Sequence, residues 1–227
     1  MGIKMGRLIK HNKAQSKIRI GILIPSAGAW ESKFGLSLLG MSLYVARTMP
    51  EVSLSFHSVV GSQVGSNREN LLKQALDRGY DYVLWLDDDM TFPKDTLTRL
   101  LKHRKNFVGA QGVTKSIPAD TTAVDLKGHD IPMRGRSGIE EINHVGLAVV
   151  LVDIRQLDIM PQPRFVQQWS KEAGTYGGED VYFCLLLKQL GMHLWLDHDL
   201  SKEIGHVGRY EYSMKDTPQL VEEESAA

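Results

Sequence analysis

Three consecutive carboxylates, Asp87, Asp88 and Asp89, directly follow an apolar run at 82–86. If a strand continued through them, its alternating side chains would place Asp87 and Asp89 on one face, roughly 7 Å apart. Grouped carboxylates are costly unless a cation or hydrogen bonds offset their repulsion. Their oxygens suit the hard cations Mg²⁺ and Mn²⁺. The segment therefore predicts a divalent metal site, and the alternative is a solvated turn that caps the helix after Pro93.

A second pair of carboxylates, Glu179 and Asp180, follows Gly177 and Gly178 at the predicted start of a helix. Negative charge is favourable there because of the helix dipole, so simple capping would explain one of the pair. Glycines also let backbone approach a ligand closely, and a carboxylate beside such a loop can act as a general base. Both interpretations stay open from these residues alone.

A third candidate is His206, which lies between Gly205 and the pair Val207 and Gly208. A ring nitrogen of His206 could bind a metal ion. An isolated histidine can equally have a structural role. His206 is therefore a candidate ligand whose importance depends on what the fold places beside it.

Strand and helix patterns alternate along the chain and must position these residues. Pro25 and Gly28 end a first strand, and a helix is predicted with Asn67 as its cap and Gly79 as its stop. The stretch 114–138, rich in glycine, proline and charge, is predicted to be loop. The alternation predicts an α/β protein with a mostly parallel sheet, whose ligands bind beyond the carboxyl ends of the strands.

Composition limits the functional classes. The chain has 227 residues, 42% hydrophobic and 24% charged, as in an ordinary globular protein. Its 27 basic and 27 acidic residues cancel, so no overall field attracts nucleic acid or an anionic membrane. The single cysteine, Cys184, excludes an internal disulfide and suits a cytoplasmic location. No apolar run approaches the ~20 residues of a membrane span, so no stable membrane insertion is expected.

The order of these motifs resembles the GT-A fold of nucleotide-sugar-dependent glycosyltransferases, especially the family 2-like group, from residue 18 to about 208. "WLDDDMTFP" is similar to the aspartate motif of that group, and "VGSNRENLL" to a helix start that precedes it in one branch. "HVGLAVVLVDIRQLDIMPQPRF" looks like the strand and loop near the acceptor. "GGEDVYFCLLLKQLGMHLWLDHDLSKEIGHVG" looks like the acidic pair, helix, short strand and distal histidine. The resemblance implies a Rossmann-like catalytic domain at 18–213, with a mostly parallel central sheet flanked by helices. A flexible basic N-terminus at 1–17 and a disordered tail at 214–227 are expected around it.

The resemblance also implies roles. Asp89 and His206 would hold Mn²⁺ or Mg²⁺, and Asp87 would contact the ribose, or the metal through water. Asp180 would be the base that deprotonates an acceptor hydroxyl, which implies inversion, and Glu179 would position it. Donor-binding residues would be Pro25, Ser26, Arg68, Asp87 and Asp88, and acceptor-binding residues Trp169, Tyr176, Gly177 and Gly178.

Some assignments stay open. Trp169 and Tyr176 could stack on an acceptor ring or be core aromatics. Lys115 and Arg134 or Arg136 could close over a diphosphate or be solvated loop charges. "HSVVGSQVGS" stands where many family 2 enzymes have an aspartate pair that contacts uracil, so a UDP-sugar is expected but the base and the sugar are open.

Acceptors could include a saccharide, a lipid-linked sugar, a protein or a modified nucleic-acid base. The zero net charge weakens the nucleic-acid option, despite basic patches at 4–17 and 102–105. Two other functional classes also fit part of the sequence. "LDDDMTF" matches the opening motif of haloacid dehalogenase-like phosphatases, with Asp87 as nucleophile and Asp89 as acid/base, although that motif normally follows the first core strand. The third class is a non-enzymatic nucleotide- or sugar-binding protein with a calcium site at the aspartates.

Overall fold

The computed structural model describes residues 17–155, 157–171, 174–208 and 210–218. Its helices are α1 (Ser32–Thr48), α2 (Val64–Asp77), α3 (Thr96–Lys102), α4 (Glu179–Gln189) and α5 (His198–Ser201). Its strands are β1 (Ile18–Ser26), β2 (Val52–Val60), β3 (Tyr82–Leu86), β4 (Met90–Thr91), β5 (Phe107–Gly109), β6 (Ala123–Asp125), β7 (Ile139–Val145), β8 (Val149–Asp153), β9 (Gln168–Ser170), β10 (Thr175–Gly177), β11 (Leu194–Asp197), β12 (Gly205–Val207) and β13 (Glu211–Tyr212). Short 3-10 turns lie at Leu157–Ile159 and Met214–Asp216.

The central sheet of the described residues has the strand order β2-β1-β3-β8-β5-β11-β7-β6. β1 pairs in parallel with β2 and β3, and β11 pairs in parallel with β5, whereas β7 and β8 run against the other strands. The predicted α/β fold with a mostly parallel central sheet is therefore confirmed. The carboxyl ends of β1, β2 and β3 lie at the same edge, which is where the candidate residues gather.

Successive side chains of the central strands pack into cores on opposite faces of the sheet. Ile20, Ile22 and Ile24 of β1 pack in a core with α1 and α3, while Leu23 belongs to the core under α2 and α4. The same alternation separates Leu84 from Trp85 in β3, because successive strand side chains point to opposite faces. Helices therefore cover both faces. None of the helices in the described residues is long and apolar enough to span a bilayer.

One helix was not predicted, and one predicted helix cap was wrong. Helix α1 lies between β1 and β2, where no element was expected. The predicted cap Asn67 lies inside α2, which begins at Val64, and Asn67 is buried. Its side-chain nitrogen donates hydrogen bonds to the carbonyl oxygens of Ser26 (3.3 Å) and Gly61 (2.9 Å) instead. The predicted stop at Gly79 is confirmed, because Gly79 takes a φ of 63° just after the helix.

Other corrections concern strands. The stretch 114–138, predicted to be loop, contributes β6 to the edge of the sheet, and β7 follows it. β3 ends at Leu86, so Asp87, Asp88 and Asp89 lie in the turn between β3 and β4 rather than on a strand. The expected flexible start and disordered tail fall mostly on residues 1–16 and 219–227, outside the described residues.

Candidate functional site

The turn formed by residues 87–89, here called the aspartate turn, is fastened on both sides. The backbone N–H of Asp87 donates to the Ala148 carbonyl at 3.1 Å, and that of Val207 donates to the Asp89 carbonyl at 2.7 Å. The second bond fixes the turn beside β12, the strand that carries His206. All three aspartates and His206 line one cavity of about 210 Å³, here called the first cavity. Because Asp88 lies in a turn, the strand alternation that would have directed its side chain away from Asp87 and Asp89 does not apply.

Asp89 and His206 face each other in a defined orientation. The Val113 carbonyl can only accept a hydrogen bond, so His206 Nδ1, 2.7 Å away, carries the proton. His206 Nε2 then faces Asp89 Oδ2 at 3.2 Å, and Lys115 Nζ donates to the same oxygen at 2.5 Å. Burial opposes ionisation of Asp89, but its contacts with His206 and Lys115 outweigh this effect, and the pKa of Asp89 is lowered from its usual value.

Arg68 lies between the two acidic groups and is only 3% exposed. Its Nη2 donates to Asp87 Oδ1 (2.8 Å) and Oδ2 (3.2 Å), and its Nη1 donates to Glu179 Oε1 at 2.5 Å. Burial raises the pKa of both Asp87 and Glu179, and the opposite charge of Arg68 only partly counters it. Arg68, which was predicted to bind the donor, thus holds the aspartate turn against the start of α4.

Asp180 occupies the first turn of α4, as predicted. Its Oδ1 accepts the backbone N–H of Val181 at 2.8 Å. A Cβ added to Gly178 would lie 2.3 Å from Asp180 Oδ1, so the glycine makes room for this carboxylate. Asp180, Glu179, Arg68, Asp87 and His206 all line a cavity of about 310 Å³, here called the second cavity. The fold therefore gathers into one cleft carboxylates and a histidine that are far apart in sequence.

The predicted donor-binding residues Pro25 and Ser26 end β1 and line the first cavity. Asn67 has a role that was not predicted: its hydrogen bonds tie the end of β1 to Gly61, the residue that follows β2. A Cβ on Gly61 would approach Asn67 Oδ1 to 2.6 Å, so Gly61 allows this packing. The sequence feature that could have drawn attention to Asn67 is its position directly before Arg68.

The predicted acceptor-binding aromatics lie on a β-hairpin next to α4. Trp169 in β9 and Tyr176 in β10 form an edge-to-face pair with ring centroids 5.1 Å apart, and the residues are 55% and 64% exposed. The alternative that they are core aromatics is therefore wrong. Gly177 ends β10 and Gly178 precedes α4.

The three candidate lid residues have different positions. Arg134 donates to the carbonyls of Met214 and Lys215, and Arg136 pairs with Glu140. These contacts hold the two arginines to other parts of the chain. Lys115 alone among the three contacts the aspartate turn, through the bond to Asp89 given above.

The chemistry of the first cavity fits a divalent cation. Within the described ranges, no three His, Cys, Asp or Glu side chains converge closely enough to hold a metal by themselves. Asp89 Oδ2 and His206 Nε2 face each other, and Asp88 Oδ2 is buried without a hydrogen bond. Magnesium commonly takes one or two protein ligands and completes its shell with water and substrate phosphates. Asp89 and His206 are suitable ligands for such a partly open site.

Neither a protein-family model nor a curated protein matches the chain. Solved structures do. A197 from STIV has a TM-score of 0.57 and 18% identity, over 88% of this chain and 92% of that chain. A mutant Drosophila β-1,4-galactosyltransferase 7 in complex with manganese, UDP-Gal and xylobiose has a TM-score of 0.49 and 16% identity, over 90% and 77%. Staphylococcus aureus TarS 1–349 in complex with UDP-GlcNAc has a TM-score of 0.46 and 14% identity, over 88% and 62%.

These similarities concern the fold. At 18% identity, the likeness to A197 establishes a shared architecture and leaves the activity open. The two transferases superpose too loosely to bear on the site. The strand order and helix layers described above, together with the match to A197, confirm the predicted α/β fold with helices on both faces of a mostly parallel central sheet.

Proposed function

We propose that this chain is a metal-dependent glycosyltransferase that moves a sugar from a nucleotide-diphosphate sugar to an acceptor hydroxyl with inversion. The observation that carries the proposal is the second cavity, which His206, Asp87 and the carboxylate-bearing Asp180 all line. The same cleft therefore offers candidate ligands for a cation and a candidate base. A transfer reaction needs both, at the leaving group and at the nucleophile.

The ligands belong at the leaving group. Negative charge accumulates on the diphosphate as its bond to the sugar breaks, and a divalent cation held by Asp89 and His206 would supply the stabilising positive charge. His206 is prepared for this role because its Nδ1 proton is committed to the Val113 carbonyl, which leaves Nε2 facing Asp89. Pro25 and Ser26 would contact the nucleotide from the end of β1.

The base belongs at the acceptor. Asp180 Oδ1 is held by the N–H of Val181, which orients the carboxylate in the cavity. Asp180 would remove the proton of the acceptor hydroxyl as that oxygen attacks the anomeric carbon from the face opposite the leaving diphosphate. A single displacement of this kind inverts the configuration. Glu179 binds Arg68 and would position Asp180 rather than transfer the proton itself.

The other two functional classes are less compatible with these contacts. A phosphatase would need Asp87 as a free nucleophile, but both Asp87 oxygens accept hydrogen bonds from Arg68 Nη2. A calcium site would need roughly six to eight oxygen ligands. Among the described residues, no three His, Cys, Asp or Glu side chains converge closely enough to begin such a shell. We therefore favour the transferase.

The proposal is tested by a thermal-shift panel of nucleotide-diphosphate sugars with and without Mn²⁺, followed by donor hydrolysis assays. UDP-sugars are the first donors to test, in both hexose and pentose forms. A folded protein whose melting temperature responds to no nucleotide would contradict the proposal.

Two variants separate the roles. Asp89→Ala should abolish the metal-dependent part of the stabilisation. Asp180→Asn should keep the donor-induced shift and lose transfer. Asp77→Asn is the control, because Asp77 is exposed and pairs only with Lys73 among the described contacts. Intact transfer in the Asp180 variant would exclude this residue as the base.

A further inference from the structure

We propose that Lys115 is an internal counter-cation that a metal ion must displace from Asp89, and that the displaced ammonium then binds the diphosphate of the donor. Metal and nucleotide would consequently bind cooperatively. The inference deepens the proposed function and rests on its metal site. It concerns how one residue of this chain couples the two ligands.

Lys115 and His206 approach the same carboxylate oxygen of Asp89. Lys115 Nζ donates to Asp89 Oδ2 at 2.5 Å, and His206 Nε2 lies 3.2 Å from that oxygen. A cation bound between Asp89 and His206 would therefore compete with the ammonium for one carboxylate oxygen. Two positive charges at such short range repel strongly where burial reduces screening. The ion pair and the metal are thus alternatives.

One short segment, residues 113–115, supplies both the contact to His206 and the contact to Asp89. Val113 accepts the Nδ1 proton of His206, and Lys115, two residues later, holds Asp89. The backbone around them is anchored, because Val113 forms a bridge with Thr121 and the N–H of Thr114 donates to the Asp120 carbonyl at 2.9 Å. Only the lysine side chain would have to move to admit a metal ion.

The Lys115 side chain has room to turn away from Asp89. The Lys115 side chain is 39% exposed, and its Cδ would lie 3.2 Å from a Cβ placed on Gly208, so its stem crosses a glycine that leaves it room. Lysine carries a compact charge on a flexible stem, unlike the planar fork of arginine. Once released from Asp89, the ammonium would bind a phosphate of the donor in the first cavity.

Cooperativity follows from this exchange. Without nucleotide, metal binding breaks the ion pair between Lys115 and Asp89, and no other anion replaces it. With a diphosphate present, the displaced ammonium regains a partner, so the nucleotide increases the metal affinity and the metal increases the nucleotide affinity by the same factor. Removing the ammonium should therefore strengthen binding of the metal alone and weaken the coupling.

The test is a titration of the full chain with Mn²⁺, with free Mn²⁺ measured by electron paramagnetic resonance, in the absence and presence of UDP. We expect Lys115→Met to bind Mn²⁺ alone about tenfold more tightly than the wild type and to lose most of the gain that UDP produces. Lys115→Gln should behave in the same way, since it also removes the charge. Lys127→Met, an exposed lysine of the same stretch, is the matched control and should match the wild type.

The outcomes are distinct. Equal Mn²⁺ affinities and equal UDP coupling in wild type and both Lys115 variants, with each protein folded by circular dichroism, would overturn the role of Lys115 and leave the proposed function standing. Absence of Mn²⁺ binding by every folded protein, with or without UDP, would overturn the metal site and the inference together.

Discussion

Arg68 donates a hydrogen bond to Glu179, a residue 111 positions later in the chain, through its Nη1 at 2.5 Å. The other terminal nitrogen of the same buried guanidinium holds Asp87. One side chain of α2 therefore sets the distance between the aspartate turn and the start of α4. Because Asp180 is the next residue after Glu179, Arg68 also determines where the proposed base lies relative to the proposed metal ligands.

Replacing Arg68 with Met should destabilise the fold by about 3–5 kcal/mol at neutral pH, because it leaves two buried carboxylates without their cation. The pKa values of Asp87 and Glu179 are already raised in the folded state. When the pH of the solution lies above the usual pKa of these carboxyl groups, the folded chain therefore binds more protons than the unfolded chain. Without Arg68 both pKa values should rise further. The loss of stability should therefore be smaller at pH 5 than at pH 8.

Urea unfolding of wild type and Arg68→Met at both pH values measures this difference. Arg164→Met is the control, because Arg164 is also buried but pairs with Glu69 rather than with a residue of the aspartate turn. The control should lose stability and keep its response to Mn²⁺ and nucleotide. A loss of stability in the Arg68 variant that was the same at both pH values would contradict the electrostatic explanation.

Gly178→Ala should reduce transfer much more than donor binding. The added Cβ would lie 2.3 Å from Asp180 Oδ1 and force the carboxylate to move, whereas the nearest atom to a Cβ on Gly177 is 3.7 Å away. We expect kcat to fall by about a hundredfold for Gly178→Ala, since small displacements of a catalytic group are costly. Gly177→Ala should have nearly normal kcat. Equal activities of the two variants would show that the position of Asp180 does not matter.

Asn67→Ala should weaken nucleotide binding by loosening the wall of the first cavity, which Asn67 itself also lines. Its side chain ties Ser26 to Gly61, and Ser26 and Gly61 line the first cavity. Loss of these buried hydrogen bonds should cost about 1–3 kcal/mol of stability and loosen that wall. The melting-temperature shift induced by UDP should shrink. Asn70→Ala, on the exposed side of the same helix, should change neither quantity, and an identical effect of the two substitutions would refute the structural role of Asn67.

Trp169→Ala and Tyr176→Ala should each raise the KM for the acceptor severalfold and leave the KM for the donor unchanged. The two rings are exposed beside the start of α4, so their removal should cost little stability. Steady-state kinetics with varied acceptor and donor measures the two constants. Phe56→Ala is the control for loss of an exposed aromatic on a distant strand. An unchanged acceptor KM would remove the hairpin from the acceptor site.

Cys184 should resist thiol reagents in the folded protein. Burial raises the pKa of this thiol to about 12, so almost none of it is thiolate at pH 8. Ellman's reagent should modify one thiol per chain in urea and hardly any under native conditions. Raising the pH from 7 to 9 should accelerate the reaction of the unfolded chain and not that of the folded chain. Rapid labelling at low denaturant would show that the core around α4 opens locally.

Helix α1 shows why part of the fold was missed. Phe34, Leu38, Met41 and Val45 face the core, but Leu36, Leu39 and Leu43 face solvent, at 70%, 55% and 48% exposure. Apolar residues on both faces hide the helical period on which the prediction depends. β6 was missed for a different reason, because a strand of three residues in a stretch rich in glycine and charge has too short a pattern to recognise.

The sequence by itself determined the local features: an apolar strand that ends in three aspartates, an acidic pair at a helix start, a stop at Gly79 and the α/β alternation. Each depends on neighbouring residues, whose periodicity and turn chemistry can be read along the chain. Tertiary structure alone decided that Arg68 binds Asp87 and Glu179, that Lys115 shares an Asp89 oxygen with His206, and that Asp88 is not turned away. These contacts join residues far apart in sequence, and packing of the sheet and helices brings them together, so no local pattern encodes them.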